Sequence, residues 1–140
     1  MNERSRIVAG WLEFLTPFSW FHLAHLTFPA DCQAVSAFDR IRKWESSLVA
    51  ASQGPIPWFA VAESKTPSRC HAHLLMAGSE RLRTRQMEGN WRCKNGHCRI
   101  EVVRSPIRAI RYVVKSLSDS ATEFAMSNGF EKRIKGFRRN

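Results

Sequence analysis

The chain has 140 residues, of which 44% are hydrophobic, so it has the length and apolar content of one globular domain and not those of a disordered protein. Its formal net charge of +10, from 22 Lys and Arg against 12 Asp and Glu, favours a polyanionic partner such as nucleic acid or an anionic membrane surface, although a solvated basic surface is a third interpretation. The sequence contains no run of about 20 apolar residues and no signal-peptide pattern, so we expect a cytoplasmic protein without a transmembrane helix.

The first part of the chain predicts an extension, a strand and a long helix. Residues 1–19 are expected to form an N-terminal extension, helical or irregular. Residues 20–28 alternate in polarity and are aromatic, which is typical of a strand. Residues 32–51 predict a helix with Asp31 as N-cap, because apolar side chains recur every three or four positions at Val35, Phe38, Ile41, Trp44 and Leu48.

Two strands, a basic segment and a hairpin are predicted next. Residues 58–63 and 70–77 form strands on either side of a polar turn. The basic segment 78–88 is compatible with a short helix or a surface loop. Asn-Gly is a strong hairpin signal, so residues 90–103 predict a β-hairpin.

The cysteines around this Asn-Gly pair allow two interpretations. The hairpin would place Cys93 opposite Cys98 across its two strands, as facing thiols. A zinc site formed by Cys93, His97 and Cys98 is the alternative, but a second ligand pair at zinc-site spacing is missing from the sequence.

The end of the chain predicts a helix and a basic tail. Ser105-Pro106 is a good N-cap and first turn for a helix that continues to Leu117. Residues 129–140 are expected to form a basic C-terminal tail. Hairpin-joined strands with helices on one face predict an antiparallel α+β sandwich, in which the open face of the sheet is free to hold a site.

A candidate metal site lies at the end of the predicted strand 70–77. Residues two apart on a strand point to the same face, so His71 and His73 present two imidazoles side by side. If strands 58–63 and 70–77 pair as a hairpin, Glu63 lies opposite or diagonal to His71. Two imidazoles and a carboxylate form a partial ligand set for a divalent cation.

A candidate nucleophile lies on the last predicted helix. Tyr112 is the only tyrosine of the chain, and Lys115 follows three residues later on the same helix face. A tyrosine hydroxyl can attack a phosphodiester, and a neighbouring ammonium can stabilise the charge that develops. The alternative interpretation is a core aromatic and a solvated lysine, although Ile110, Val114 and Leu117 already form the apolar stripe of this helix.

These features resemble the HUH endonuclease superfamily, and within it the single-tyrosine rolling-circle replication initiators (Rep type). The resemblance covers about residues 20–117 and rests on three motifs in order: His25-Leu26-Thr27-Phe28, then Glu63 with His71-Ala72-His73-Leu74-Leu75, then Arg111-Tyr112-Val113-Val114-Lys115. It implies an RRM-like, ferredoxin-like sandwich with a central five-stranded antiparallel sheet, in a nicking domain of residues 20–128.

The resemblance also implies an activity and the residues that carry it. A member would be a metal-dependent, site-specific single-stranded DNA endonuclease and strand-transferase that initiates rolling-circle replication of a plasmid or phage. Glu63, His71 and His73 would hold Mn²⁺ or Mg²⁺, Tyr112 would form a 5′-phosphotyrosine, and Lys115 would assist. Single-stranded DNA, in particular an origin hairpin, is the expected partner, with host helicase and polymerase as further candidates. One chain has one tyrosine, so a second successive tyrosine attack would need a second subunit. We therefore expect a monomer or a transient dimer.

The basic residues predict where the nucleic acid lies. A phosphate-binding role is expected for six arginines around the proposed site: Arg81, Arg83, Arg85, Arg104, Arg108 and Arg111. His22 and His25 are expected to be surface or core histidines, although one of them could approach the metal site. Two alternatives for the function stay open, a single-strand transposase or relaxase of the same superfamily and a non-catalytic module that binds single-stranded nucleic acid.

Overall fold

The computed structural model describes residues 2–29, 32–66, 69–119 and 122–127, and within these ranges four helices and five strands follow one another along the chain. Their bounds, in chain order, are α1 (Glu3–Leu15), β1 (Trp20–Thr27), α2 (Ala34–Ser52), β2 (Trp58–Thr66), β3 (Arg69–Ala77), α3 (Thr84–Lys94), β4 (Cys98–Val102), α4 (Pro106–Val114) and β5 (Thr122–Met126).

The five strands form one antiparallel sheet in the order β4-β1-β3-β2-β5. This confirms the predicted α+β class with a five-stranded antiparallel sheet. β1 and β3 are neighbouring inner strands, although α2 and β2 lie between them in sequence, and β2 and β3 form the predicted hairpin. The β1–β3 pairing therefore decides which residues of the two distant segments meet.

One face of the sheet is apolar and carries α2 and α3. Its side chains on the inner strands are mostly small and include no β-branched residue, namely Ala24, Leu26, Ala60, Ala62, Ala72, Leu74 and Met76. Small side chains let the helices approach the sheet closely, and Trp44 of α2 and Trp91 of α3 fill the space above it. The Trp44 indole donates a hydrogen bond to the Met87 carbonyl at 3.2 Å, which joins the two helices.

The opposite face carries α1 and α4 on part of its surface, so helices lie on both faces and not on one face alone as expected. Leu23, Phe59 and Leu75 of the sheet pack with the buried stripe of α4, which includes Ile110 and Val113. The N-terminal segment is part of this core because Leu15 is fully buried. Each of the two helices has an apolar side that water would otherwise contact, and this face of the sheet buries both.

The predicted hairpin over residues 90–103 is wrong. Residues 84–94 form α3, because Met87 and Trp91 lie one helical turn apart and are buried together. The Asn-Gly pair makes the turn from α3 into β4, and β4 pairs with β1. The fifth strand of the sheet is β5, which pairs with the outer edge of β2.

The cysteines are correspondingly free thiols in different environments. Cys93 is exposed on α3, whereas Cys98 is buried in β4, so the two do not face each other. Burial raises the pKa of the Cys98 thiol to about 12, and the nearby Glu88 carboxylate contributes to this effect. Cys98 is therefore a protonated core side chain.

Two expectations concern residues outside the described ranges, the N-cap Asp31 and the tail 129–140. α2 begins after Gln33, which makes no side-chain cap, and ends at Gln53 in the left-handed conformation with φ 59°.

Within the described residues, no helix has both the length and the apolar character needed to cross a membrane.

Candidate metal centre and tyrosine site

Three rows of side chains cross the sheet on the face that carries α1 and α4. The strand register aligns them as Thr27, His71, Glu63 and Thr122 in the first row; Arg99, His25, His73, Val61 and Phe124 in the second; and Glu101, Leu23, Leu75, Phe59 and Met126 in the third. The third row is mostly apolar and lies under α4, whereas the first two rows hold the polar groups. The candidate site lies where these polar rows meet the helix.

The predicted metal ligands converge. Glu63 lies directly opposite His71 in the β2–β3 hairpin, as predicted, and its Oε2 is 3.3 Å from the His71 Nε2. His73 follows on the same face of β3. One ligand atom from each of these three residues lies within 4.8 Å of the other two.

The chemistry of this donor set fits a divalent cation. A histidine binds a metal through a lone pair on a ring nitrogen, so its imidazole must be neutral. Burial, together with the neighbouring His25 and His71, lowers the pKa of His73 to about 4, so His73 is neutral at pH 7. Glu63 is only 5% exposed. A buried carboxylate beside two imidazoles is the arrangement that a cation stabilises.

Tyr112 lies beside this cluster. α4 begins after Ser105, whose hydroxyl accepts a hydrogen bond from the Arg108 amide, and Pro106 occupies its first turn. The buried stripe of the helix is Ala109, Ile110, Val113 and Val114. Tyr112 lies off this stripe and is 36% exposed, so it is not one of the core side chains of the helix.

The Tyr112 ring contacts two histidines and the Lys115 ammonium. Its centroid is 4.9 Å from that of His73 and 5.5 Å from that of His25, in edge-to-face geometry. The Lys115 ammonium lies over the ring, 4.2 Å from its centroid. Tyr112 and Lys115 therefore share a helix face, as predicted, and the ammonium is a cation–π partner of the phenol ring.

A basic cleft of about 590 Å³ opens between β4 and α4. Its wall includes His25, Arg99, Glu101, Arg104, Arg108 and Tyr112. Arg104 and Arg108 are exposed, and Arg99 donates to Glu101 at 2.8 Å. The cleft thus joins the tyrosine to a surface with a net positive charge.

The six arginines predicted to bind nucleic acid divide into three places. Arg104 and Arg108 line the cleft. Arg111 lies on α4 in a groove shared with α1 and Lys115. Arg81 donates a hydrogen bond to Gln53 at the end of α2. Arg83 and Arg85 lie at the start of α3, which packs on the other face of the sheet. The structure therefore does not bring this last trio to the tyrosine.

Two residues beside the site, His25 and Glu101, were not among the predicted site residues. His25 lies directly opposite His73 in the β1–β3 ladder, with 3.1 Å between their Nδ1 atoms. The His25 Nε2 is 3.4 Å from the Glu101 Oε2. Burial and the Arg99 charge lower the pKa of His25. Strand alternation places His25 on the face of Leu23, but the contact with His73 depends on a pairing of distant strands.

Comparisons with known proteins agree with this architecture. A structure of the hypothetical protein ORF119 from Sulfolobus islandicus rod-shaped virus 1 is similar in fold, with a TM-score of 0.54 at 17% identity over 80% of this chain and 95% of that one. Comparison with curated protein sequences gives no match. The sequence model of one family matches residues 25–121, a span that contains His25, Glu63, His71, His73 and Tyr112. The chain belongs to the replication-associated protein ORF2 family.

Proposed function

We propose that the protein is a metal-dependent HUH-type endonuclease and strand-transferase of single-stranded DNA that initiates rolling-circle replication of a plasmid or phage. The observation that carries the proposal is the packing of Tyr112 against His73, next to the Glu63–His71–His73 cluster. Membership of a replication-associated family supports it, because a nick with a free 3′ end is what such replication starts from.

Glu63, His71 and His73 would hold the divalent cation, Mn²⁺ or Mg²⁺. The two nitrogen ligands suit Mn²⁺ better, since Mg²⁺ prefers oxygen ligands and water. When bound, the cation supplies Lewis-acid polarisation of a phosphate oxygen. The ligand residues are positioned by the β2–β3 pairing, which places all three on one sheet face.

Tyr112 would act as the nucleophile. Its hydroxyl oxygen forms a bond to phosphorus while the bond from phosphorus to the 3′ oxygen breaks. The phenolic proton passes through solvent to the leaving 3′ oxygen, and the phosphate remains as a 5′-phosphotyrosine. One phosphodiester replaces another, so a later 3′-hydroxyl can reverse the step and join the DNA. Lys115 stabilises negative charge on the phenol through its position over the ring.

The cleft between β4 and α4 would hold the DNA strand next to the tyrosine. Arg104 and Arg108 supply phosphate contacts there. An origin hairpin would present the unpaired strand, and a second subunit would supply the second tyrosine where two successive attacks are required. Helicase and polymerase from the host would extend the released 3′ end.

The test is a covalent adduct. A randomised pool of 5′- and 3′-labelled single-stranded DNA is incubated with the protein and Mn²⁺ and run on a denaturing gel. We expect an adduct that survives SDS, disappears with EDTA and retains only the label 3′ of the nick. Tyr112→Phe removes the hydroxyl and keeps the ring contact with His73, so it should reduce adduct formation more than about 1,000-fold, the scale of loss of a catalytic nucleophile.

DNA binding by the Tyr112→Phe protein should be unchanged, which separates a chemical defect from a folding defect. An adduct formed by the Phe variant would refute the tyrosine mechanism. Tight single-strand binding with neither Mn²⁺ binding nor an adduct would instead support the non-catalytic binding module.

A further inference from the structure

We propose that His25 and Glu101 are positioning residues that set the tautomer of His73 through a hydrogen-bonded chain, so that His73 Nε2 is the nitrogen available to a metal. This inference rests on the proposed function in so far as His73 serves as a metal ligand. The chain crosses the sheet from the edge strand inward, from Glu101 on β4 through His25 on β1 to His73 on β3.

The direction of each hydrogen bond follows from proton counting. A neutral imidazole has one N–H, so in the 3.1 Å contact between the two Nδ1 atoms one ring must donate and the other accept. An ionised carboxylate only accepts, so His25 carries its proton on Nε2 and donates it to Glu101 Oε2 at 3.4 Å. The His25 Nδ1 is then an acceptor, and His73 must carry its proton on Nδ1.

This assignment leaves the lone pair of His73 on Nε2. A metal-binding histidine commonly donates its other N–H to a carboxylate or carbonyl, which fixes the ring and raises its basicity. Here a second histidine relays that effect from the carboxylate. Arg99 holds the far end, because it donates to the same Glu101 Oε2 at 2.8 Å.

His25 is a neighbour of the ligand set and not a member of it. The cluster whose ligand atoms all lie within 4.8 Å comprises Glu63, His71 and His73 among the described residues. His73 lies on β3 between the two groups, with His25 on β1 to one side and Glu63 on β2 to the other. The hydrogen-bonded chain therefore approaches His73 from the side away from the carboxylate ligand.

Two substitutions at Glu101 separate a hydrogen bond from a charge. Glu101→Gln removes the charge but keeps an oxygen that accepts from His25, whereas Glu101→Leu removes both. The Glu101 side chain is 48% exposed, so neither substitution disturbs core packing. In ¹⁵N NMR spectra of the metal-free protein, we expect His73 to be in the Nδ1–H form in the wild type and in Glu101→Gln, and to become a tautomer mixture in Glu101→Leu.

Mn²⁺ affinity, measured by calorimetry, is the second readout. Glu101→Leu should weaken binding about 10-fold or more, the scale found for partners of metal-ligating histidines, and Glu101→Gln should restore most of the loss. Equal losses in the two variants would show a charge effect only and would overturn the proposal.

Pulsed EPR of bound Mn²⁺ counts the coordinating nitrogens. We expect two histidine couplings in the wild type and two in His25→Leu. A third coupling that disappears in His25→Leu would make His25 a ligand and would also overturn the proposal. If the wild type binds no Mn²⁺, the proposed function fails at its metal, while the NMR spectra of the metal-free protein still decide whether the chain sets the His73 tautomer.

Discussion

Glu63 and His73 are polar side chains that are only 5% and 9% exposed, in the polar rows of the sheet face that carries α1 and α4. Burying a carboxylate has a free-energy cost unless a positive partner or hydrogen bonds compensate for it. The His71 Nε2 at 3.3 Å provides one such contact. A bound cation would provide a stronger one, which is why this cluster is a better candidate for function than for stability.

Glu63→Gln should lower Mn²⁺ affinity by at least about 10-fold, because it removes the only anionic ligand of the cluster. Unfolding of the metal-free protein by urea should show no loss of stability, or a gain, since a buried charge is removed. Glu45→Gln is the matched control, because Glu45 is also a buried carboxylate but lies on α2 across the sheet. Unchanged Mn²⁺ affinity in Glu63→Gln would contradict the assigned ligand set.

His22 predicts a pH dependence that is independent of the metal cluster. Its side chain is 1% exposed, and its Nδ1 is 2.6 Å from the Ser79 hydroxyl oxygen. Burial lowers its pKa below 6.5, and Glu80 opposes this only in part. As the pH falls, His22 is therefore protonated in the unfolded chain before it is protonated in the folded protein. The free energy of unfolding consequently falls as the pH drops below about 6.5.

Between about pH 7.5 and 5.5, this effect should amount to at most about 1.4 kcal/mol in urea unfolding with EDTA present. His22→Gln should show a smaller loss over the same interval. His97→Gln, at an exposed histidine, should behave as the wild type does. An identical pH slope in wild type and His22→Gln would show that His22 takes up its proton equally in the folded and unfolded states, which would contradict this prediction.

At the scale of elements, the turn between α3 and β4 is held by Thr27 at the end of β1. The Thr27 carbonyl accepts from the Trp91 indole at 3.1 Å, and its hydroxyl accepts from the His97 amide at 2.7 Å. A Cβ at Gly96 would lie 2.7 Å from the Thr27 carbonyl oxygen. Glycine is required here because the backbones approach too closely for any side chain.

Gly96→Ala should destabilise the protein by about 1–3 kcal/mol, since the clash is with backbone and cannot be relieved by a side-chain rotation. Gly89→Ala is the control, because Gly89 lies inside α3 and a Cβ there meets nothing within 4 Å. That change should stabilise the helix by up to about 1 kcal/mol. Urea denaturation of both variants measures the difference, and a neutral Gly96→Ala would show that the turn can move away from β1.

At the scale of the whole molecule, the arginines that contribute to the net charge of +10 are spread over both faces of the sheet. Arg104 and Arg108 line the cleft beside the tyrosine, whereas Arg83 and Arg85 begin a helix that packs on the far face of the sheet. Long-range attraction to DNA depends on all of them, but close phosphate contacts depend only on those beside the bound strand.

The double variant Arg104→Ala/Arg108→Ala should weaken single-stranded DNA binding and reduce the slope of log affinity against log salt by about 1.4, which is about 0.7 for each lost phosphate contact. Arg83→Ala/Arg85→Ala removes the same charge and should change the slope much less. Fluorescence anisotropy over a range of salt concentrations distinguishes the two. Equal slopes for both double variants would place the DNA elsewhere.

The sequence alone determined what depends on local pattern. Strand alternation with a short hairpin predicted Glu63 opposite or diagonal to His71, and the structure has the two residues directly opposite. Helical spacing was sufficient to place Tyr112 off the buried stripe of α4. The Asn-Gly pair was misleading because the same turn residues also connect a helix to a strand, and the burial of Trp91 on α3 decided between the two.

Only the tertiary structure decided what depends on contacts between distant segments. The pairing of β1 with β3 and β4 brings His25 between His73 and Glu101, and the packing of α4 on the sheet brings Tyr112 to the same histidines. The separation of the arginines onto two faces likewise follows from where α3 packs. Periodicity fixes the face on which a side chain lies within its own element, but which faces meet is set by the burial of apolar surface over the whole chain.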